Sequence, residues 1–339
     1  MSAPEVTRDQ VVAFRRRTGG LDERLPPGPA SLAQAASAGL QDSVPRSALH
    51  SLHARVAQTP PEAWDDASLV QVWGLRYTAY VVPAGEHAPF TLGRLPDTGR
   101  TRRRAEDLAA RLHAFLDGGR LDAVAAGRGL GVHPNSLRYA ALTGTVLIRW
   151  DGARQPTVWT VPPPELDPLE ARVELLRRYL HALGPGTPAS FANWAGVSLR
   201  AALAAFAALG PSLVPVRTPV GEGSVLASDE PTLRGPADPP AAARLLPSGD
   251  VFYLLQGADR ELLVPDPARR AALWTSRVWP GALLVEGDLA GTWRRSGAAV
   301  TVTPWRRLSR AERAAVQAEA ATLPLPEAHG TAAVSWDSG

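Results

Sequence analysis

The sequence contains no cysteine and no lysine, and each absence removes whole classes of chemistry. Without cysteine there is no disulfide, no thiolate nucleophile and no zinc site with cysteine ligands. Without lysine no side-chain amine can form a Schiff base, which leaves only the N-terminal amine for amine covalent catalysis. All 36 basic residues are arginine, so their charge persists at every pH near neutrality.

Long apolar runs are also missing. No stretch approaches the roughly 18 to 20 uncharged residues that a membrane helix needs, and residues 1–17 are polar and basic without the apolar centre of a signal peptide. A lysine-containing phosphate loop, a Gly-x-Ser-x-Gly elbow and zinc-ligand spacing are absent too. We therefore expect a soluble cytoplasmic protein without metal or cofactor. Its 339 residues suffice for two or three packed domains.

Arginine is clustered, and the clusters say more about a partner than the net charge of +3. Three of the four clusters adjoin an aromatic residue. Each cluster alone is also typical of ordinary solvated surface. The clusters are "GRTRRR" (100, 102–104), "LLRRY" (177 and 178), "TWRR" (294 and 295) and "PWRR" (306 and 307).

Two stretches of the chain follow one pattern. Residues 129–152, "GLGVHPNSLRYAALTGTVLIRWDG", and residues 194–223, "WAGVSLRAALAAFAALGPSLVPVRTPVGEG", both read Gly-Val, Ser-Leu-Arg, an apolar helix, a Gly break and alternating apolar residues. A further helix ending in Gly precedes each of them. Helix, turn, helix and β-hairpin in this order predict a winged helix.

The rest of the chain completes an α+β architecture of three tandem winged helices and a small C-terminal antiparallel β-barrel. A looser first unit combines the helix "RSALHSLHARVAQ", a second helix from about Pro61 and the strand "GLRYTAYVVP". The runs "VFYLLQ", "ALLVEGD", "AGTWRR" and "AVTVTPW" predict the barrel strands, and Ser309 with Glu312 predicts a capping box on a last helix. The predicted boundaries are 1–98, 99–166, 167–236, 237–325 and a flexible tail over 326–339.

Several stretches together resemble the winged-helix crosslink-repair DNA glycosylases typified by AlkZ and YcaQ. They are "VWGLRYTAYVVPA" (72–84), "RRYLHALGPGTPASFANWAGVS" (177–198), "GDLAGTWRR" (287–295) and "VTVTPWRRLSRAERAAVQAEA" (300–320). Their order and spacing fit that family along nearly the whole chain. The resemblance implies the fold predicted above and cleavage of the N-glycosidic bond of alkylated purines, including crosslinked bases.

The resemblance also implies a catalytic signature, Gln-x-Gln or Gln-x-Asp after Gly-Leu, which here is "GLQDS". Gln41 matches the first position, Asp42 falls on the variable position, and Ser43 replaces the second Gln or Asp. An amide and a hydroxyl can each donate and accept, and so could hold a water against the sugar C1′. Asp42 would stabilise the developing positive charge only if its backbone register differs from that of the family. The alternative is that all three residues merely cap the helix near Pro45.

Other residues are assigned by position. Arg46 and Arg55 match basic positions of the family, and the further arginines expected to contact DNA are Arg76, Arg102, Arg103, Arg104, Arg138, Arg200, Arg294 and Arg295. Asp259 falls where the family usually carries Leu-Leu-Pro-x-x-Asp, although a loop cap explains it equally.

Two groups of side chains have ordinary readings. His50 and His53 share a helix face and are interpreted as surface or interface histidines rather than metal ligands. Core packing is predicted for Trp73, Trp150, Trp159 and Trp194.

These observations lead to a DNA-binding protein that acts as a monofunctional glycosylase on double-stranded DNA, as a monomer associated with the nucleoid. The alternative from another class is a winged-helix regulator or damage sensor that binds DNA without releasing a base. Regulators usually dimerise to read paired half-sites, so a monomer would disfavour that alternative. A protein-interaction scaffold would show no salt-dependent DNA affinity at all.

Overall fold

The computed structural model describes residues 3–152, 154–237, 239–326 and 330–337, which form a mixed α+β fold. Residues 3–98 contain three α-helices and three strands. In chain order they are α1 Arg8–Thr18, α2 Pro29–Ala35, β1 Leu40–Gln41, α3 Ser47–Arg55, β2 Leu69–Trp73 and β3 Ala79–Pro83.

The next two predicted units each contain helices followed by a β-hairpin. The first of them comprises α4 Arg100–Leu116, β4 Leu121–Asp122, α5 Ala123–Gly129, α6 Leu137–Ala140, β5 Val146–Arg149 and β6 Thr157–Thr160. The second comprises α7 Pro168–Leu183, α8 Pro188–Ala195, α9 Leu199–Leu209, β7 Leu213–Thr218 and β8 Gly221–Leu226. Both predicted hairpins are present, and α9 begins at an N-cap serine, Ser198, that accepts from the Ala201 amide.

The C-terminal part contains a five-stranded sheet and a long helix. Its elements are α10 Glu230–Arg234, β9 Ala243–Leu246, α11 Ala258–Leu263, α12 Pro267–Leu273, β10 Gly281–Val285, β11 Asp288–Ser296, β12 Ala299–Pro304, α13 Arg310–Ala321 and β13 Ala333–Trp336. The predicted capping box is confirmed, because Ser309 accepts from the Glu312 amide and the Glu312 side chain accepts from the Ser309 amide.

Strand pairing differs from the predicted architecture in two ways. The hairpins of the first two units share one sheet, ordered β1-β3-β2-β5-β6-β4, which is joined across the boundary at residue 98 by the pairing of Gln71 with Ile148. The C-terminal sheet runs β13-β12-β11-β10-β9 and is open over the described residues, with β13 parallel to β12. A closed antiparallel barrel is therefore not what these strands form, while the threefold winged-helix division stays a prediction.

Three local predictions were wrong. The second helix from Pro61 is only a 3-10 turn, Ala63–Asp65, and the predicted strand "VFYLLQ" contains another 3-10 turn, Val251–Tyr253. Within the predicted flexible tail, β13 pairs with β12, so residues 333–336 belong to the sheet. Residues 327–329, 338 and 339 of that tail lie outside the described residues.

One apolar core connects three parts of the chain. It extends from Val12 to Leu284 and draws side chains from the first unit, from α7 to α9 and from the C-terminal sheet. Trp73 and Trp194 are buried as predicted, and Trp150 and Trp159 are partly buried against core clusters. Among the described helices, none has the length and apolarity required to cross a membrane.

Candidate active site

The end of β1 carries the residues of the predicted signature. Gln41 pairs with Tyr80 of β3, and the Asp42 amide continues the ladder by donating to the Ala79 carbonyl at 2.8 Å. Because successive side chains of an extended chain point to opposite faces, Gln41 and Ser43 lie on one side and Asp42 on the other. The Gln-x-Ser spacing thus puts an amide and a hydroxyl together.

Gln41 and Ser43 are joined by a hydrogen bond. The Gln41 Nε2 donates to Ser43 Oγ at 2.5 Å, and Ser43 is exposed. The Gln41 Oε1 is buried and has no hydrogen-bond partner among the described residues. The serine oxygen keeps one lone pair and its own proton for another molecule such as water.

This pair lines a cavity of about 320 Å³. The remaining lining residues come from the segment between β1 and α3, from the 3-10 turn after β2, from the loop after β9 and from the loop before β10. They are Val44, Arg76, Ser248, Gly249, Leu254, Arg277, Val278 and Trp279. No carboxylate is among these lining residues, whereas two of them are arginine, so the cavity has a positive charge.

Asp42 is turned away from this cavity and is fully buried. Its Oδ1 accepts from the Ala48 amide at 3.0 Å, and its Oδ2 accepts from Gln71 Nε2 at 3.2 Å. Burial raises the pKa of Asp42 to about 7, against the lowering effects of the Ala48 hydrogen bond and the nearby Arg46. The sequence left capping of α3 as the alternative for all three residues. Asp42 has this role, because its carboxylate accepts from the Ala48 amide in the first turn of α3.

Arg55 is buried in an ion pair, so its predicted contact with DNA phosphate is not possible in this conformation. Its Nη1 and Nη2 donate to the two carboxylate oxygens of Asp250, both at 2.8 Å, and Ser51 Oγ donates to Asp250 Oδ2 at 2.7 Å. Burial alone would raise the pKa of Asp250, but the Arg55 charge and these hydrogen bonds hold that pKa below its ordinary value.

Arg46 is also engaged with the protein. Its guanidinium lies 3.4 Å from the centroid of the Trp64 ring and donates to the Asp151 carbonyl at 2.9 Å. It thus fastens the start of α3 to the turn between β5 and β6.

Both histidines on α3 are buried against other parts of the chain, so of the two readings, surface or interface, the surface one is wrong. Burial, with the Arg295 charge, lowers the pKa of His50 to about 4, although a hydrogen bond to the Pro324 backbone opposes the shift. Burial also lowers the pKa of His53 to about 3, and Arg24 adds to the effect. Over the described residues, no group of three or more His, Cys, Asp or Glu side chains could hold a metal ion.

The arginines of α4 lie at the surface. Arg103 is exposed and has no side-chain partner among the described residues, whereas Arg102 Nε donates to Glu106 at 2.8 Å. Arg104 lies 4.2 Å from the Tyr139 ring centroid.

The other predicted DNA contacts are spread over the molecule. Arg76 lines the Gln41 cavity, and Arg138 donates to the Tyr77 carbonyl at 3.2 Å. Arg200 is exposed on α9, and Arg294 and Arg295 are exposed on β11. Of the ten predicted arginines, only Arg76 adjoins the cavity.

Asp259 lies in a separate pocket, with α8 and the β7–β8 hairpin, and not beside Gln41. Its Oδ1 accepts from Nη2 of the buried Arg15 at 2.9 Å. The pattern Leu-Leu-Pro-x-x-Asp, to which Asp259 was matched only partially, occurs without departure at residues 245–250 and ends at Asp250. That complete match was the signal that could have found Asp250.

Gly249 and Trp279 were also missed. Gly249 lies beside the Gln41 amide, and Trp279 lines the cavity and is partly exposed. Only the Gly after Leu-Leu-Pro-Ser hinted at a tight turn there, and nothing in the sequence set Trp279 apart from the other nine tryptophans.

Comparison with known proteins finds a family and relatives that are described as DNA glycosylases. A sequence profile described as DNA glycosylase AlkZ-like matches residues 33–324. A curated interstrand DNA cross-link repair glycosylase from Streptomyces sahachiroi is 24% identical over 296 residues, which cover 76% of this chain and 78% of the relative. The solved structure of the Streptomyces sahachiroi DNA glycosylase AlkZ shares the fold with a TM-score of 0.79 at 22% identity, covering 98% of this chain and 100% of that one.

Proposed function

Because the chain belongs to the AlkZ-like DNA glycosylase family, we propose that it hydrolyses the N-glycosidic bond of alkylated or crosslinked purines in double-stranded DNA. The hydrogen-bonded pair of Gln41 and Ser43 on a cavity carries this proposal. The name of the curated relative, an interstrand DNA cross-link repair glycosylase, supports the crosslinked substrate.

In the proposed reaction, water replaces the base at the sugar C1′. A purine alkylated at N7 is cationic, so it leaves as a neutral base without needing an acid. The serine hydroxyl accepts a hydrogen bond from Gln41, and its remaining lone pair accepts one from the attacking water. Positioning of this water is the main contribution of the protein. After attack the oxygen now bonded to C1′ loses one proton to solvent and keeps the other as the product hydroxyl. No lysine is available for a lyase step.

The positive charge of the cavity favours contact with DNA phosphates over contact with a cationic base. Arg76 and Arg277 both line it, and Arg277 is exposed without a partner among the described residues. We propose that they contact the phosphates flanking the damaged nucleotide, which would balance their charge. Trp279 offers a ring face on which a base can stack.

Three winged-helix units are proposed to hold the duplex along one concave face. Each predicted unit contains helices and a two-stranded hairpin, as described above. Exposed arginines such as Arg103 and Arg200 would neutralise phosphates without reading sequence. A single chain with three such units does not need to dimerise in order to span a lesion.

A second candidate is a DNA-binding protein that releases no base. The absence of any carboxylate among the cavity-lining residues favours it, because nothing there opposes the positive charge that develops on the sugar. The replacement of the family's Gln or Asp by Ser43 also favours this second candidate.

Single-turnover release of 7-methylguanine from alkylated duplex DNA tests the proposal, with a crosslinked duplex as the second substrate. We expect Gln41→Ala to lower the rate at least about 100-fold while DNA affinity stays within about twofold. Gln34→Ala, the same change on the exposed side of α2, serves as the matched control and should behave as wild type. Binding without release from either substrate would establish the second candidate, and absence of salt-dependent binding would exclude both.

A further inference from the structure

We infer that Gly249 and Asp250 are positioning residues for the Gln41 amide, an inference that rests on the proposed role of Gln41. They lie about 200 residues beyond Gln41 in the chain and line or support the opposite wall of its cavity. Neither residue has a group that could take part in the chemistry from its present position.

Gly249 lies beside the Gln41 amide in the wall of the cavity. A Cβ on Gly249 would lie 3.0 Å from Gln41 Oε1 and 3.2 Å from its Cδ, which is closer than ordinary van der Waals contact. The φ angle of Gly249 is +75°, a conformation that favours glycine. Glycine therefore lets the backbone approach the amide and close one side of it, while Ser43 holds the other side.

Asp250 fixes the position of this glycine. Its carboxylate accepts two hydrogen bonds from Arg55, one from Ser51 and one from the Phe252 amide at 3.0 Å. Arg55 and Ser51 are on α3, the helix that begins four residues after Ser43. One helix thus anchors both the strand end that carries Gln41 and the loop that covers it.

Tyr253 supports the same loop from the other side. Its hydroxyl accepts from the Gly249 amide at 3.1 Å, and it lies within hydrogen-bond distance of the Pro247 and Pro280 carbonyls, at 2.7 and 2.9 Å. Pro280 follows Trp279, so the hydroxyl also connects the loop to the aromatic wall of the cavity.

Stability alone does not account for the ion pair between Arg55 and Asp250. Both partners are nearly inaccessible to solvent, and the desolvation cost of a buried pair commonly offsets its Coulombic gain. A buried pair does fix geometry, because a bidentate arginine and carboxylate tolerate little displacement. What the pair holds here is the backbone beside Gln41.

The test compares two glycine substitutions with matched backbone strain. Gly249→Ala introduces a methyl against Gln41, whereas Gly85→Ala has a nearly identical φ of +78° and open space around the new methyl. We expect Gly249→Ala to slow single-turnover base release about 10- to 100-fold, with DNA affinity within about twofold of wild type. Gly85→Ala should keep the wild-type rate, although its backbone strain also lowers thermal stability. Equal rates for the two variants would overturn the inference.

A second readout does not depend on activity. In protein with ¹⁵N-labelled glutamine, Gly249→Ala should shift the side-chain amide resonances of Gln41, identified by their loss in Gln41→Ala, and Gly85→Ala should leave them in place. If wild type releases no base, the proposed function fails, and these resonances still decide whether Gly249 orients the amide. Unchanged resonances in Gly249→Ala would refute the positioning role.

Asp250→Asn tests the anchor with little change of shape. We expect a slower rate at saturating enzyme without a comparable change in DNA affinity, and the same direction of shift in the Gln41 resonances as in Gly249→Ala. A folded Asp250→Asn protein with wild-type rate and resonances would show that the ion pair does not position Gln41.

Discussion

At the scale of single residues, the site depends on the alternation of side chains at the end of β1. Gln41 and Ser43 face the cavity, and Asp42 between them faces the interior. The sequence predicted this triplet because its spacing matched a family signature. It could not assign a task to Asp42, because burial and the partners Ala48 and Gln71 follow only from the fold.

Restoring a carboxylate to the cavity should raise activity. Ser43→Asp places a negative charge beside Gln41, where it can accept from the attacking water and stabilise positive charge on the sugar. We expect release of 7-methylguanine to become about 10-fold faster under single-turnover conditions. Ser43→Ala removes the partner of the Gln41 amide and should slow release by a similar factor.

Ser276→Asp is the matched control for the added charge. Ser276 is exposed beside Arg277 but does not line the cavity. Its rate should stay near that of wild type. If both aspartate variants gave the same change in rate, a general effect of charge on DNA binding would explain the result, and the proposed water site would lose its support.

At the scale of secondary structure, prediction succeeded where a local signal fixed the element. The β7–β8 hairpin follows from alternating apolar residues around Gly, and α13 follows from the capping box of Ser309 and Glu312. The prediction of a strand failed for "VFYLLQ", because a short apolar run is compatible with either a strand or a helix. Here Asp250 caps a 3-10 turn instead. The pairing of β2 with β5 has no local signal at all.

His50 on α3 packs against Trp293 and makes the stability of the protein depend on pH. Burial keeps His50 neutral in the folded protein down to a pKa of about 4, whereas the unfolded chain gains a proton near pH 6.5. The unfolded state therefore binds more protons between these pH values, and stability falls as the pH is lowered through them. The loss reaches about 3 kcal/mol by pH 4.

Urea unfolding at pH 7 and at pH 4.5 measures this dependence. We expect His50→Gln, which cannot titrate, to lose less stability than wild type between these two pH values, by about 2 kcal/mol. His133→Gln changes an exposed histidine and should keep the wild-type dependence. Parallel losses in wild type and His50→Gln would mean that His50 does not resist protonation in the folded state.

At the scale of the whole molecule, the arginines divide into two groups that the sequence could not separate. Among the described residues, six are buried and hold distant parts of the chain together. They are Arg15, Arg16, Arg55, Arg94, Arg172 and Arg244. The Arg55 pair with Asp250 links residues 195 apart, and no local pattern signals such a contact. With no lysine in the chain, arginine serves both for these internal contacts and for the surface that would meet DNA.

The surface group should determine how DNA affinity depends on salt. Arg103 and Arg102 are neighbours on α4, but Arg103 is exposed without a side-chain partner in the described part of the chain, and Arg102 is paired with Glu106. A phosphate contact releases a counterion, so Arg103→Gln should weaken binding to all duplexes and reduce the slope of log K against log salt by about one. Arg102→Gln should change that slope less, because Glu106 already balances its charge. Titration of a labelled duplex from 50 to 200 mM salt gives both slopes, and equal slopes for Arg103→Gln and wild type would place the DNA path away from α4.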